Sequence, residues 1–402
     1  MKNLTCLLLV TLLISAATAR NDRCTVQLFP DMLRSVHGAL IKHKVYTATT
    51  PDGYQLNMFR ISLDGNWAAA SGKEQILLQH GLTSSADCWV WNDGDWNLGV
   101  RLLQKGYDVW LGNNRGNKYS EVNNQWSISQ REFWDFSFQK LGKYDVPTQI
   151  SQVLSVTGKS QLVYMGHSQG TSQMFAALSE PDEAVSSYVQ ASVKKFIALA
   201  PVAMMSNVSN KVFELFSTYE QAIYDLAMGA GKWQVQENKC QLSLWQEPIY
   251  AAICKVNDLL CKAKWYIMDV DPTQNNLAKA GRVEGLQPQG SSLESYRHYA
   301  QVIDQKNPPR FTMLNYGSAK NIQEYGTPFA PEYNLRSIPA SVPITAWVAT
   351  GDKLSTVPDV YETQKHIPHM KVNVIQKWGH ATFVFGLNPG AQFDQIIAEI
   401  PN

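Results

Sequence analysis

The sequence has almost no excess charge: 35 Lys and Arg residues against 34 Asp and Glu residues leave a formal net charge of +1. No run of basic residues occurs, so we expect neither a nucleic-acid partner nor bulk attraction to an anionic membrane. After the N-terminal segment, no stretch reaches the roughly 20 apolar residues that a membrane-spanning helix needs. No Cys-x-x-Cys pair or His cluster suggests a metal site, and no cofactor is expected. The 402 residues suffice for one large core and an inserted segment.

The N-terminus is predicted to be a targeting segment. Lys2 precedes the apolar run 7–14, and Ala17-Thr18-Ala19 has the small residues of a cleavage site. We therefore expect residues 1–19 to be a signal peptide, with the mature chain starting at Arg20. A membrane anchor is the weaker alternative, because the apolar run is short and ends in small residues. The protein is thus expected to be secreted or lysosomal.

The most informative motif is a Gly-x-Ser-x-Gly pentad centred on Ser168. The apolar run 161–165 before it is typical of a strand, and residues 171–178 after it are typical of a helix. A serine at a sharp turn between a strand and a helix is the arrangement of a nucleophile elbow. Side chains at Gly166 and Gly170 would collide with the neighbouring strand and helix. We therefore expect Ser168 to be a catalytic nucleophile.

A nucleophilic serine needs a base, and the base needs a carboxylate that orients it. In a fold of this kind, the acid and then the histidine follow the serine in the chain, each at the end of a later strand. Residues 342–350 are predicted to form a buried strand that Asp352 follows. Residues 371–375 alternate as a strand does before His380. We therefore predict that His380 is the base and that Asp352 is the acid.

Other acidic and histidine residues are weaker candidates for these roles. Asp359 is the rival acid, but it lies past the end of its strand. His366 and His369 are rival bases, but Pro368 and the lack of a preceding strand indicate a surface loop. His80 comes too early in the chain for the base and is expected to be structural.

An oxyanion hole is the fourth part that this chemistry needs. Residues 75–79 are predicted to form a strand, and Leu82 lies in the loop that follows it. In this kind of fold, that loop supplies one backbone N–H and the residue after the nucleophile supplies the other. We therefore expect the N–H groups of Leu82 and Gln169 to hold the oxyanion. One such donor typically lowers the barrier by about 3 kcal/mol.

Short apolar runs alternate with helix-like segments, which predicts an α/β fold with a mostly parallel central sheet and helices on both faces. Residues 20–201 are expected to form the first part of this core, and residues 341–402 the second. Ser168 and Asp352 lie much further apart in the chain than one intervening strand and helix require. Residues 202–340 are therefore predicted to be an inserted, mainly helical cap over the site.

One segment of the predicted cap has apolar residues at helical spacing. It runs from Val212 to Leu226, and Gly229 and Gly231 are expected to close the helix. The pattern fits a lid that opens at a lipid surface, but an amphipathic helix packed within the cap explains it more simply.

The mature chain is expected to have an odd number of cysteines. Cys6 leaves with the signal peptide, and the remaining ones are Cys24, Cys88, Cys240, Cys254 and Cys261. In an oxidising compartment at least one of them is unpaired or pairs elsewhere. The sequence Asn207-Val208-Ser209 is an N-glycosylation sequon, so we expect Asn207 on a surface loop.

Several longer motifs occur along nearly the whole mature chain. They are Asp52-Gly53-Tyr54, His80-Gly81-Leu82, residues 106–117, 132–138 and 143–147, the pentad continued by Thr171, residues 331–335 and Pro358-Asp359-Val360. Together they resemble the signatures of the acid lipase family, which includes gastric lipase and lysosomal acid lipase. The resemblance implies an α/β-hydrolase fold with a helical cap and an acyl-ester substrate. It assigns Ser168, Asp352 and His380 as the triad, with Leu82 and Gln169 as oxyanion donors.

The same resemblance implies a small bridged loop in the cap, which favours pairing Cys254 with Cys261, with Cys240 as the alternative partner. The expected protein is a secreted serine lipase, favoured as a monomer, that hydrolyses triacylglycerols or sterol esters at an oil–water interface without a cofactor. The main alternative is a soluble carboxylesterase or another capped hydrolase acting on non-lipid esters. An inactive binding protein is disfavoured, because every triad member and both glycines of the pentad are present.

Overall fold

The computed structural model describes residues 24–240, 262 and 265–401. The predicted signal peptide, residues 1–19, lies outside them. The strands of the described residues are β1 (Lys42–Thr49), β2 (Tyr54–Ser62), β3 (Gln75–Gln79), β4 (Asp108–Leu111), β5 (Val122–Asn123), β6 (Leu162–His167), β7 (Val193–Leu199), β8 (Gln234–Val235), β9 (Ser291–Ser292), β10 (Ile344–Ala349) and β11 (Lys371–Ile375).

Nine of these strands form one central sheet. Its order is β1-β2-β4-β3-β6-β7-β10-β11, and β5 pairs with β2 at one edge. The β1–β2 hairpin and the β2–β4 pair are antiparallel, whereas every neighbouring pair from β4 to β11 is parallel. The predicted α/β fold with a mostly parallel sheet is therefore confirmed, and its antiparallel strands are confined to one edge.

Helices cover both faces of the sheet. The α-helices of the described residues are α1 (Leu28–His37), α2 (Trp67–Ser71), α3 (Leu98–Gln104), α4 (Phe138–Lys140), α5 (Val146–Thr157), α6 (Gln169–Leu178), α7 (Glu183–Ser192), α8 (Lys211–Thr218), α9 (Glu220–Gly229), α10 (Ala280–Leu286), α11 (Leu293–Asp304), α12 (Ser318–Tyr325), α13 (Val357–His366), α14 (Thr382–Phe385) and α15 (Gly390–Ile397). Helices α1, α3 and α15 pack against one face of the sheet, and α5, α6 and α13 pack against the other.

Alternation along each strand builds the two halves of the core. In β3, Ile76 and Leu78 belong to one buried cluster, whereas Leu77 belongs to the other. Successive strand residues point to opposite faces of a sheet, so a strand covered on both faces is apolar throughout. This is why the continuous apolar runs of the sequence predicted buried parallel strands.

The chain between β7 and β10 adds no strand to the central sheet in its described residues. It forms α8 to α12 and the two-stranded β8–β9 sheet. The single helix predicted from Val212 onward is two helices, because Tyr219 leaves the helical conformation at φ −114° and ψ 19°. Phe216 and Ile223, from either side of the break, belong to one buried cluster with Ala300. No helix of the described chain is both long enough and apolar enough to span a bilayer.

Candidate active site

Three parallel strands end at the same edge of the sheet, and a residue predicted to act in catalysis follows each of them. Ser168 follows β6, Asp352 lies beyond β10 and His380 lies beyond β11. The Nε2 of His380 lies 2.8 Å from the Oγ of Ser168, and its Nδ1 lies 2.8 Å from the Oδ2 of Asp352. Both His380 and Asp352 are buried. The fold thus joins the three side chains in one hydrogen-bonded chain.

The turn that carries Ser168 has a strained backbone. Ser168 has φ 54° and ψ −119°, which residues with a side chain rarely adopt. A Cβ on Gly166 would lie 2.5 Å from the carbonyl oxygen of Gly170, and a Cβ on Gly170 would lie 2.4 Å from that of Gln79. The predicted steric need for glycine at both positions is therefore confirmed.

The two predicted oxyanion donors lie beside this turn. Gln169 is the first residue of α6, and the loop after β3 runs so close that a Cβ on Gly81 would lie 3.0 Å from the Cβ of Ser168. Within the described residues, neither the N–H of Gln169 nor that of Leu82 donates a hydrogen bond. The start of a helix also concentrates partial positive charge. Both N–H groups therefore remain candidates for binding an anion that forms next to Ser168.

The carboxylate of Asp352 is held by its own loop. Its Oδ1 accepts the N–H groups of Leu354 and Ser355, each at 2.8 Å, which leaves Oδ2 for His380. Burial lowers the pKa of His380, but the charge of Asp352 and its hydrogen bond outweigh that effect, so the pKa is raised above its ordinary value. The imidazole is therefore a stronger base than its burial alone would allow.

Two buried groups behind His380 have no role in the sequence-based assignment. The Nε2 of His167 lies 3.0 Å from the carbonyl oxygen of His380, and burial lowers the pKa of His167 to about 3, so a neutral ring donates this bond. Asp269 accepts the N–H of Ala381 at 3.1 Å, and burial raises its pKa to about 6. Asp269 belongs to the predicted insertion, residues 202–340, where no motif or strand pattern marks it.

Known proteins resemble the chain over most of its length. Family models for the alpha/beta hydrolase fold and for a partial alpha/beta-hydrolase lipase region match residues 75–227 and 36–93. Gastric triacylglycerol lipase of Rattus norvegicus is 30% identical, covering 88% of this chain and 87% of the rat protein. Gastric triacylglycerol lipase of Bos taurus is 31% identical, and the match covers 89% of this chain and 86% of the bovine protein. Lysosomal acid lipase/cholesteryl ester hydrolase of Homo sapiens is 30% identical, and the match covers 88% of this chain and 86% of the human protein. The chain belongs to the family of gastric and lysosomal acid lipases.

In this acid lipase family member, Ser168 and His380 line a cavity of about 370 Å³. Most of the cavity wall is apolar, with contributions from the predicted insertion, residues 202–340, and from the segments before and after it. The apolar side chains include Trp91, Val202, Met205, Phe213, Trp265 and Phe385. A concave apolar wall with a few polar groups is typical of a small-molecule site. The hydroxyl of Ser168 is thus placed where an apolar ligand can reach it.

The rival residues of this family member are engaged elsewhere. The carboxylate of Asp359 accepts hydrogen bonds from the hydroxyls of Ser206 and Thr356 at the start of α13. His366 lies in the last turn of α13, so its predicted placement in a surface loop is wrong. One ring nitrogen of His80 lies 2.8 Å from a carbonyl oxygen, the other accepts a backbone N–H, and burial lowers its pKa to about 4. His80 is therefore structural, as predicted.

The disulfide of the described residues differs from the sequence-based expectation. Cys24 pairs with Cys240, with their Cα atoms 4.8 Å apart, so Cys240 is not the alternative partner of the predicted cap bridge. The favoured pair, Cys254 and Cys261, lies outside the described residues. Cys88 is buried and free, in agreement with the odd count. Spacing along the sequence could not reveal the bridge, because it joins residues 216 positions apart.

The sequon residue Asn207 is exposed, as expected of a glycosylation site. Its side-chain amide donates to Asp359 at 2.9 Å. The N–H of Ser209 donates to the carbonyl of Lys353 at 3.1 Å. The sequon therefore lies against the loop that carries Asp352.

Proposed function

We propose that this chain is a serine lipase that hydrolyses fatty acyl esters, either triacylglycerols or sterol esters, through an acyl-enzyme on Ser168. The observation that carries the proposal is the hydrogen-bonded chain of Ser168, His380 and Asp352 at a mainly apolar cavity. The relatives support the same substrate class, since they are named triacylglycerol lipase and cholesteryl ester hydrolase.

In the first half of the reaction, the imidazole acts as a general base. The Nε2 of His380 takes the proton of Ser168 while the Oγ bonds to the carbonyl carbon of the ester. The negative charge that forms on the carbonyl oxygen accepts hydrogen bonds from the N–H groups of Leu82 and Gln169. The C–O bond to the alcohol then breaks, and the alcohol leaves with the proton from His380. Asp352 stabilises the imidazolium throughout.

In the second half, water replaces the alcohol. His380 takes a proton from the water while the oxygen of the water bonds to the acyl carbon. The N–H groups of Leu82 and Gln169 again hold the oxyanion. The bond between the acyl carbon and the Oγ of Ser168 then breaks, and the Oγ regains the proton. The fatty acid leaves, and the free enzyme is restored.

We extend the proposal to the inserted cap and to the secretory pathway that delivers the protein. Residues 202–340 act as a cap between the two parts of the core, residues 20–201 and 341–402. The proposal is supported by apolar side chains of this segment, such as Phe213 and Ile267, which line the same cavity as Ser168. The names of the gastric and lysosomal relatives support secretion or delivery to lysosomes. A signal peptide at residues 1–19 and a glycan on Asn207 belong to the same proposal.

The test combines turnover with chemical labelling. The purified mature chain should hydrolyse an emulsified long-chain triacylglycerol or cholesteryl ester faster than a soluble short-chain ester. A fluorophosphonate should modify one serine, which mass spectrometry should map to Ser168. The Ser168→Ala variant should lose turnover and labelling, because alanine has no hydroxyl that can attack the ester or the fluorophosphonate. Ser151→Ala, an exposed position on α5, is the control and should keep both.

Each contrary result has a separate meaning. Turnover of the soluble ester alone would favour the soluble carboxylesterase alternative. Label on another serine, or full activity in Ser168→Ala, would contradict the assignment of the nucleophile.

A further inference from the structure

Asp269 is a fully buried carboxylate directly behind the loop that carries His380. Its Oδ1 accepts the N–H of Ala381 at 3.1 Å. A Cβ on Gly379 would lie 2.2 Å from the same oxygen, so the carboxylate lies against the main chain on that side too. Asp269 thus contacts the residues on both sides of His380.

The other oxygen of Asp269 closes a ring of hydrogen bonds around this loop. Its Oδ2 accepts the side-chain amide of Asn275 at 2.6 Å, and the amide oxygen of Asn275 accepts the hydroxyl of Thr382 at 2.8 Å. The hydroxyl of Thr382 in turn accepts the N–H of Gly379 at 3.0 Å. The N–H groups before and after His380 are therefore both held by one network that starts at Asp269.

The segment that carries Asp269 also holds the acid loop. The N–H of Val270 donates to the carbonyl of Gly351 at 2.8 Å, and the N–H of Lys353 donates to the carbonyl of Met268 at 3.0 Å. These bonds lie on either side of Asp352. One short stretch, 268–270, thus ties the loop of the acid to the loop of the base.

Keeping this carboxylate buried is costly. The donors that reach it in the described structure are uncharged, namely the N–H of Ala381 and the amide of Asn275. A buried carboxylate without a cationic partner loses much of its hydration energy, and burial raises the pKa of Asp269 to about 6. If the side chain at this position only filled space, an apolar residue would do so at a lower cost in free energy. A carboxylate at this position is explained better by its two acceptor oxygens.

We propose that Asp269 is a positioning residue, which fixes the main chain on both sides of His380 and so keeps the imidazole in line between Ser168 and Asp352. The inference rests on the proposed function, because it concerns the alignment of the same triad. It adds a fourth residue that acts through the histidine loop and touches no substrate: Asp269 does not line the cavity.

The test begins with Asp269→Asn. An amide at 269 leaves one bond of the ring unmade. Either its NH₂ faces the N–H of Ala381 or the NH₂ of Asn275, or Asn275 turns its own amide over and the hydroxyl of Thr382 loses its acceptor. A shift of the base by a fraction of an ångström should lower kcat on a soluble ester by about 10- to 100-fold. The KM should stay the same, because the wall of the cavity is unchanged.

A side-chain exchange provides the rescue. In Asp269→Asn with Asn275→Asp, the amide oxygen at 269 again accepts the N–H of Ala381, and its NH₂ donates to the new carboxylate at 275. That carboxylate still accepts the hydroxyl of Thr382. The kcat should return to within about threefold of the wild type, given the same donor–acceptor pattern. A general loss of packing would not be repaired in this way.

The neighbour Asp271 offers a matched control. It lies on the same segment and caps the turn at residues 272–274 by accepting the N–H of Thr273, which an Asn can also do. Asp271→Asn should keep the wild-type kcat. If Asp269→Asn fails to fold, Thr382→Val decides the question, because it opens the same ring from the other end while Asp269 stays in place. A fall in kcat at constant KM in that variant supports the proposal, and a wild-type kcat overturns it.

The outcomes separate this inference from the proposed function. If the wild type hydrolyses no ester, the proposed function fails. If the wild type is active and Asp269→Asn has the same kcat, only the positioning role is overturned. The positioning role is also overturned if Asp269→Asn has a low kcat and the double variant, Asp269→Asn with Asn275→Asp, does not restore it. This outcome counts only if both variants have the wild-type unfolding temperature.

Discussion

Replacing Gly170 by Ala should disable the site without touching any group that reacts. The added Cβ would lie 2.4 Å from the carbonyl oxygen of Gln79 and 3.0 Å from that of His80. Both oxygens are main-chain atoms at the end of β3, just before the loop that carries Leu82. An ordinary carbon–oxygen contact is about 3.3–3.6 Å, so the strand end must retreat by roughly 1 Å.

This substitution has one favourable effect, on the stability of the helix, and one unfavourable effect, on the catalytic rate. Alanine inside a helix is favoured over glycine by about 0.5–1 kcal/mol, which would stabilise the start of α6. Moving the proposed oxyanion donor of Leu82 by about 1 Å should cost about 100-fold in rate, near the 10²–10³-fold cost of losing one such donor. The catalytic loss should therefore dominate, and we expect kcat to fall by about 100-fold.

The assay is kcat on a soluble ester, with thermal unfolding recorded for each variant. Gly229→Ala is the matched control, because Gly229 ends α9 and an added Cβ there meets no atom within 4 Å. It should keep the wild-type kcat. A Gly170→Ala protein with the wild-type kcat and unfolding temperature would refute the argument that the helix start and β3 set the oxyanion geometry.

The remaining predictions concern the acid, the base and the disulfide. Asp352→Asn should lower kcat by about 10⁴-fold, because an amide favours the wrong imidazole tautomer; a loss under tenfold on the soluble ester would count against the acid assignment. As pH falls through the raised pKa of His380, kcat/KM should fall, since only the neutral ring accepts a proton; a pH profile that rises through this range would contradict it. Changing Cys24 and Cys240 to Ser should lower the free energy of unfolding by about 2–5 kcal/mol; equal urea midpoints would show that the bridge contributes nothing.

Strand positions were largely predictable from the sequence. The bounds of β3 and β11 agree with the runs 75–79 and 371–375. A strand covered on both faces needs apolar side chains throughout, so burial leaves a clear pattern. β6 continues two residues further than predicted, because Gly166 and His167 still pair with neighbouring strands before the turn at Ser168.

Contacts between distant segments were not predictable in this way. The helices on either side of Tyr219 share one buried cluster with Ala300, which lies about 80 residues further along the chain. The bridge between Cys24 and Cys240 depends on where the N-terminal segment meets the insertion. Neither position carries a local signal, because the partner lies elsewhere in the chain.

The sequence by itself determined where several core strands lie along the chain and which residues are candidates for the triad, because a nucleophile elbow requires small residues at fixed positions and a strand requires a run of apolar ones. Only the tertiary structure decided that Asp269 lies behind His380. Its oxygens accept bonds from two segments that are far apart in sequence, and such a match in space leaves no periodicity or motif in the chain itself.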